Sequence, residues 1–132
     1  MTATERAKEL TIAAAEAASN KLGERIVAFD VSEQLVITDV FMVCSASNDR
    51  QVRAIVDAVE ERLHELGAKP TRREGHREGR WVLLDYVDIV VHVQHEEERS
   101  YYALDRIWAD CPVLDLPESV AAGQSDSGGA AR

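Results

Sequence analysis

The stretch over residues 80–94 constrains the fold more than any other part of the chain. It reads RWVLLDYVDIVVHVQ, two runs rich in β-branched and aromatic residues with a short acidic segment between them. Such residues fit a pleated and largely buried surface, and four residues from Asp85 to Asp88 are enough to reverse the chain between antiparallel strands. The sequence therefore predicts a β-hairpin with its turn at residues 85–88.

The rest of the chain predicts helices on a mixed sheet. Thr2 and Glu5 have the spacing of a capping box before an alanine-rich helix that ends at Gly23, and Ser47 or Asn48 can cap a second helix. The predicted helices cover residues 5–22, 48–66 and 96–111, and the predicted strands cover residues 25–31, 35–45 and 69–73 in addition to the hairpin. This order predicts an α/β fold with a mixed β-sheet flanked by helices.

Length and composition fit one domain. The chain has 132 residues, of which 45% are apolar, and this is enough for one modest core. Residues 117–132 are rich in Ser, Gly and Ala and offer almost nothing to bury. We therefore expect a folded domain over residues 1–116 and a disordered tail over residues 117–132.

Charge and cysteine content narrow the choice of partners. The net charge of −9 disfavours free nucleic acid as the main partner and favours a basic protein. Cys44 and Cys111 lack metal-ligand spacing and are expected to be free thiols in a reducing compartment. The N-terminal segment lacks the apolar stretch of a signal peptide, and no run reaches membrane-spanning length, so we expect a cytoplasmic protein with no membrane partner.

Three blocks of sequence resemble the ribosomal silencing factor (Iojap-related) family. The family pattern Trp-x-Leu-Leu-Asp-Tyr-x-Asp-x-Val-Val-His is similar to residues 81–92, and its Arg-x-x-Tyr-x-Leu-Asp/Glu-x-Leu-Trp element is similar to residues 99–108. The segments DVS, TDVF and SASNDRQV within residues 30–52 look like the N-terminal signature of the family. A Gly that is usual in the family near Ala46 is missing here.

The resemblance implies both a fold and a function. It implies an α/β domain related to a nucleotidyltransferase core, without enzymatic activity or a cofactor. The implied partner is the large ribosomal subunit, bound through ribosomal protein L14, where the domain blocks the small subunit and damps translation when nutrients are scarce. The family also forms homodimers. The resemblance places Trp81, Tyr86, Asp88 and His92 at the contact with the partner, with Lys69, Arg73 and Asp105 as weaker candidates at its rim.

An enzyme is the alternative from a different class. Asp85 and Asp88 could hold a divalent metal for nucleotidyl transfer, and Ser47 could belong to a phosphate-binding turn. However, Val90 stands where an Asp-x-Asp pair with Asp88 would need its second carboxylate. The simpler interpretation is that Asp85 orders the hairpin turn.

Other patterns also have simple structural interpretations. His92 and His95 are three residues apart and would point to opposite faces of a strand, so a shared metal is disfavoured. Residues 69–80 carry five Lys or Arg side chains, which fit either a contact with ribosomal RNA or a solvated loop. Trp81 and Tyr86 could each be core residues, although aromatic side chains also anchor protein interfaces.

Overall fold

The computed structural model describes residues 3–120. In chain order the elements are α1 (Glu5–Asn20), β1 (Glu24–Asp30), β2 (Val40–Ala46), α2 (Asp49–Glu65), β3 (Arg72–Glu74), β4 (Trp81–Asp85), β5 (Ile89–His95), α3 (Glu96–Tyr102) and α4 (Leu104–Ile107). The mixed sheet with flanking helices agrees with the predicted fold class.

The five strands form one sheet in the order β1-β2-β5-β4-β3. β2 and β5 are parallel, and the other neighbouring pairs are antiparallel. β4 and β5 form the predicted hairpin, with Trp81 opposite Gln94 and Asp85 opposite Val90. A carboxylate oxygen of Asp85 accepts a hydrogen bond of 2.9 Å from the backbone N–H of Val87, which has a positive φ of 74°. Asp85 therefore orders the turn, as one of the two interpretations of this residue predicted.

Helices α1 and α2 cover one face of the sheet, which we call the helix face. The alanine stripe of α1 lets this helix lie close to the strands, and the apolar stripe of α2 packs beside it. Every second residue of the inner strands points into this layer because side chains alternate along a strand. The strand residues buried here are Ile26, Ala28, Val40, Met42, Cys44, Ala46, Val82, Leu84, Ile89, Val91 and Val93.

The opposite face of the sheet, which we call the open face, carries α3 and α4 in place of long helices. A small cluster made by Phe29, Val31, Val43 and Cys111 fills one side of it, with Phe41, Leu104 and Trp108 packed against the cluster. The rest of this face carries Trp81 and Leu83 of β4 and His92 and Gln94 of β5. Its cover is therefore thinner and more polar than that of the helix face.

Several predicted boundaries are wrong for local reasons. α1 is capped by Thr4, whose hydroxyl accepts from the N–H of Ala7 at 3.0 Å, and not by Thr2. β2 begins at Val40 and not at residue 35, because turn hydrogen bonds to the carbonyl of Val31 fold the preceding residues into a loop. β3 covers Arg72–Glu74, displaced towards the hairpin from the predicted residues 69–73.

The last predicted helix is interrupted. Ala103 has φ 52° and ψ 48°, which is left-handed backbone, so α3 ends there and α4 starts in a new direction. The prediction of one continuous helix over residues 96–111 is therefore wrong. The apolar and aromatic side chains of residues 101–108 keep a helical spacing on both sides of Ala103, so the sequence pattern does not reveal the interruption.

The packed part of the chain extends past residue 116. Leu114 and Leu116 pack against the helix-face core, and Val120 is buried within it. The predicted tail over residues 117–132 thus includes the buried Val120, and its residues 121–132 lie outside the described part. Cys44 and Cys111 are both buried and free. Within residues 3–120, no helix is long and apolar enough to cross a membrane.

Candidate partner-binding surface

Six ring-bearing side chains form a continuous row across the open face. Neighbouring ring centroids are 4.7–6.1 Å apart, within or near the range that aromatic pairs prefer. β2, β4, β5, α3 and the residue that follows α4 each contribute to this aromatic row, which runs in the order Tyr101, Tyr102, Trp81, His92, Phe41 and Trp108. The contacts fix the relative positions of rings that are distant in sequence.

One end of the row is open to solvent. Tyr101 is 81% exposed and Tyr102 is 47% exposed, while Trp81 is half-buried beneath Tyr102, with ring centroids 4.7 Å apart. Phe41 and Trp108 at the other end are also half-buried. Partly exposed Tyr and Trp side chains with fixed positions are the kind that anchor protein interfaces.

His92 holds Trp81 in place from below. The indole Nε1–H of Trp81 donates to Nδ1 of His92 at 3.1 Å. The imidazole is 5% exposed, and burial lowers the pKa of His92 to about 4, so the ring is neutral near pH 7 and its Nδ1 can accept. His92 therefore orients the Trp81 side chain.

The layer under the row is polar. Gln94 is fully buried, and neither its Oε1 nor its Nε2 has a hydrogen-bond partner within the described residues. His92 Nε2 is also buried without a partner there. Both side chains lie on the same face of β5, two residues apart. The strand positions buried on the helix face carry apolar side chains, whereas these two buried positions on the open face carry polar ones. The open face is therefore not an ordinary apolar core.

Arg99 and Asp105 join α3 and α4 to this polar layer. Nε and Nη2 of Arg99 donate to the two carboxylate oxygens of Asp105, each at 2.7 Å, and Nη1 donates to the hydroxyl of Ser45 at 3.3 Å. Burial alone would raise the pKa of the Asp105 carboxyl, but the hydrogen bonds and charge of Arg99 outweigh it and the pKa is lowered. Asp105 is therefore ionised and paired.

Tyr86 does not share a face with Trp81. The two side chains are five residues apart, so they point to opposite sides of β4, and Tyr86 is buried in the helix-face core at 5% exposure. Its hydroxyl has no hydrogen-bond partner in the described part of the chain, and burial raises the pKa of this phenol far above its usual range. This differs from the expectation that Trp81 and Tyr86 belong to one contact surface.

The remaining predicted site residues are also dispersed. Asp88 lies in the hairpin turn, half-exposed, and its carbonyl accepts from the N–H of Asp39 at 3.1 Å. Lys69 is exposed in the connection after α2. Arg73 is exposed on β3 and forms a 2.8 Å ion pair with Glu60 of α2. Trp81 and His92 are thus the predicted residues that the structure brings together.

The structure also locates the alternative sites considered above. His95 caps α3, its Nδ1 accepting from the N–H of Glu97 at 3.1 Å. In residues 3–120, no group of three or more His, Cys, Asp or Glu side chains could hold a metal ion. Arg80 is paired with Glu97 and Glu98, and Arg72 with Glu74, so part of the basic segment is neutralised within the molecule.

Of the six members of the aromatic row, the sequence analysis assigned Trp81 and His92 to the contact and missed the other four, which are Phe41, Tyr101, Tyr102 and Trp108. The helical spacing of Tyr102 predicts a side chain that points inward, and this is wrong: the end of α3 at Ala103 leaves its ring partly exposed on top of Trp81. Phe41 was assigned to a strand but to no site. The signal that could have found Phe41 is its odd-numbered position in β2, which places it on the face opposite Val40 and Met42.

Comparison with known proteins gives one consistent result. A family model described as "Ribosomal silencing factor during starvation" matches residues 4–131. A ribosomal silencing factor of Bacillus subtilis is 40% identical over 109 residues, which are 83% of this chain and 92% of that protein.

Two crystal structures show the same architecture. One is of a protein from Chromobacterium violaceum that is 33% identical to this chain, with a TM-score of 0.75. The match covers 77% of this chain and 85% of that protein chain. The other is of a protein from Bacillus halodurans that is 36% identical to this chain, with a TM-score of 0.73. The match covers 83% of this chain and 99% of that protein chain.

Proposed function

Because this chain belongs to the family of ribosomal silencing factors, we propose that it binds the large ribosomal subunit through ribosomal protein L14 and blocks the small subunit from joining. On this proposal the domain has no enzymatic activity and works in the cytoplasm by occupying a surface that the small subunit needs. Translation is then reduced under nutrient limitation.

The observation that carries the proposal is the aromatic row. Trp81 is held by a hydrogen bond to His92 and by the ring of Tyr102, so little side-chain freedom is lost when a partner covers it. Tyr101 and Tyr102 extend the same surface into solvent. Pre-positioned aromatic side chains with one exposed edge supply binding energy without a large interface.

Charge supports a ribosomal protein as the partner. The chain carries 24 Asp and Glu against 15 Lys and Arg. Opposite charge speeds the encounter with a basic protein and disfavours bare phosphates. Within this proposal Asp88 is a contact near the hairpin turn, and Lys69 and Arg73 lie at the rim of the interface.

Trp81→Ala tests the docking surface. We expect the variant to lose co-sedimentation with purified large subunits, with affinity reduced by roughly 30-fold or more, because removing a central aromatic anchor costs about 2 kcal/mol or more. Leu22→Ala is the matched control, since Leu22 is an apolar side chain 73% exposed in the turn after α1, away from the row. Urea unfolding of both variants verifies that the fold is intact.

A second measurement tests the mechanism. Purified large and small subunits are mixed with and without the protein, and the formation of complete ribosomes is followed by light scattering. We expect slower association with the wild-type protein and normal association with Trp81→Ala. If wild-type protein leaves the association rate unchanged, the proposed function is refuted.

We also infer that the chain forms homodimers, as the resemblance implies. A dimer that covers the aromatic row must separate before docking. Size-exclusion chromatography over a concentration series, with and without the isolated ribosomal protein, measures both equilibria. Elution as a monomer at every concentration would contradict this inference.

A further inference from the structure

α3 and the segment of α4 and Trp108 carry half of the aromatic row but bury few apolar side chains of their own. Within the described chain, Arg99 is the buried residue of α3, and α4 has none. The apolar and aromatic side chains Tyr101, Tyr102 and Ile107 are exposed. Leu104 packs α4 against the small open-face cluster, but apolar burial does not account for the position of α3.

The Arg99 guanidinium anchors α3 and ties it to α4. The side chain of Arg99 is 1% exposed and connects three elements, since it donates to Asp105 of α4 and to Ser45 of β2. The Ser45 hydroxyl in turn donates to the carbonyl of Glu24 in β1 at 3.2 Å. A bidentate pair of this kind, with the guanidinium buried and the Asp105 carboxylate partly exposed, fixes orientation as well as distance.

The pair exists because the helix is interrupted. On a continuous helix, residues six apart point in directions that differ by roughly 240°, so Arg99 and Asp105 could not meet. The left-handed conformation of Ala103 turns α4 back, and the two side chains then meet at 2.7 Å. The interruption between Tyr102 and Leu104 and the ion pair are thus parts of one arrangement.

We propose that Arg99 and Asp105 are positioning residues: their partly buried ion pair holds Tyr102 over Trp81 and Trp108 against Phe41, in the arrangement that docks to the partner. Neither side chain touches the partner on this proposal, which rests on the proposed docking function. Asp105 thereby changes from a candidate at the rim of the contact to a residue that acts through Tyr102 and Trp108.

A double-mutant cycle tests this inference. Arg99→Met, Asp105→Asn and the double variant are compared with the wild type for binding to large subunits, with urea unfolding measured in parallel. We expect each single change to weaken binding by about tenfold and the double change to weaken it no further, because both remove the same pair. Losses that multiply in the double variant would overturn the proposal, because independent contacts with the partner add in free energy.

Glu97→Gln is the matched control. Glu97 also carries an ion pair on α3, at 2.8 Å from Arg80, but its side chain is 73% exposed, and exposed pairs contribute little. We expect less than about a twofold change in binding. A loss as large as that of Asp105→Asn would mean that negative charge on these helices, and not their position, matters for binding.

Hydrogen exchange separates positioning from general stability. In Asp105→Asn, amide exchange should accelerate over residues 96–108, while the exchange of the β4 and β5 amides stays slow. Arg99→Lys keeps the charge but loses the bidentate contact, so it should show a smaller acceleration and an intermediate affinity for large subunits. If Arg99→Met does not fold, Arg99→Lys and Asp105→Asn complete the comparison. Unchanged exchange over residues 96–108 would overturn the proposal.

The two proposals fail in different ways. If the wild-type protein does not bind large subunits, the docking function is refuted. If the wild type binds and Arg99→Lys and Asp105→Asn bind equally well, docking stands and the positioning role is refuted.

Discussion

The two faces of the sheet are built from the same strands but carry different kinds of side chain. On the helix face, β2, β4 and β5 present Val, Leu, Ile, Met, Cys and Ala, and two long helices cover them. On the open face the same strands present Phe41, Trp81, His92 and Gln94, under two short helices. Because side chains alternate along a strand, one stretch of sequence builds both surfaces.

On the proposed function, this difference separates the residues that stabilise the fold from those that bind the partner. Burial of apolar area on the helix face stabilises the fold. The open face keeps buried polar atoms without partners in the described chain, such as His92 Nε2 and the Gln94 amide, which a structure optimised for stability alone would avoid. What the open face gains is a set of rings held in fixed positions with their edges exposed.

Leu83 and Leu84 give the sharpest test of this division, because they are adjacent and face opposite sides. Leu84 is fully buried on the helix face, and Leu83 is half-buried on the open face beside His92. We expect Leu84→Ala to lower the free energy of unfolding by about 3 kcal/mol, because it leaves a cavity in a packed core. Leu83→Ala should lower it by roughly 1 kcal/mol, in proportion to the smaller area that Leu83 buries.

Binding should show the reverse order for the same two leucines. Leu83→Ala removes apolar area beside Trp81 and should weaken binding to large subunits several-fold, while folded Leu84→Ala protein should bind normally. Urea titration gives the unfolding free energies and co-sedimentation gives the affinities. Equal losses of stability for the two variants would remove the distinction between the faces.

The sequence predicted the hairpin well because its signal is local. Two β-type runs around residues 85–88 allow few other structures, and the Asp85 side chain closes the turn as expected. The second helix was equally clear, since Asn48 caps it and its apolar stripe repeats at helical spacing. Both predictions rest on interactions between residues close in sequence.

The assembly of the surface was not predictable in the same way. Trp81, Phe41 and Tyr102 come from three elements, and their meeting depends on strand order and on the break at Ala103. The left-handed backbone of Ala103 has no sequence signal, because Ala is a good helix former and its Cβ disfavours this conformation. Tyr86 was grouped with Trp81 by motif, and alternation along the strand places it on the other face.

His92 links the chemistry of the open face to the pH dependence of stability. Burial lowers the pKa of folded His92 to about 4, below the value of 6.5 for the unfolded chain. Protons therefore bind more readily to the unfolded state, and the contribution of neutral His92 is complete above pH 6.5 and lost progressively as pH falls towards 4. We expect this residue alone to lower the free energy of unfolding by about 2 kcal/mol between pH 7 and pH 5.

His92→Gln isolates this effect from other groups that titrate. The amide oxygen of Gln can accept from the Trp81 indole, and it does not titrate over this range. Urea unfolding at pH 7 and pH 5 should therefore show a smaller pH dependence in the variant, by about 2 kcal/mol. An identical dependence in the two proteins would mean that His92 is accessible to protons in the folded state and that the open face is less closed than its geometry indicates.

Tyr86→Phe is the smallest expected effect and the most direct test of where the interface ends. The Tyr86 hydroxyl is buried on the helix face without a partner in residues 3–120, so its removal leaves no group newly unpaired. We expect the free energy of unfolding to change by less than about 1 kcal/mol and binding to large subunits to stay at the wild-type level. Tyr102→Phe serves as the comparison, because the Tyr102 ring lies in the aromatic row with its edge in solvent. If Tyr86→Phe weakens binding as strongly as Trp81→Ala does, the partner must also contact the helix-face side of the hairpin. The assignment of binding to the open face alone would then be wrong.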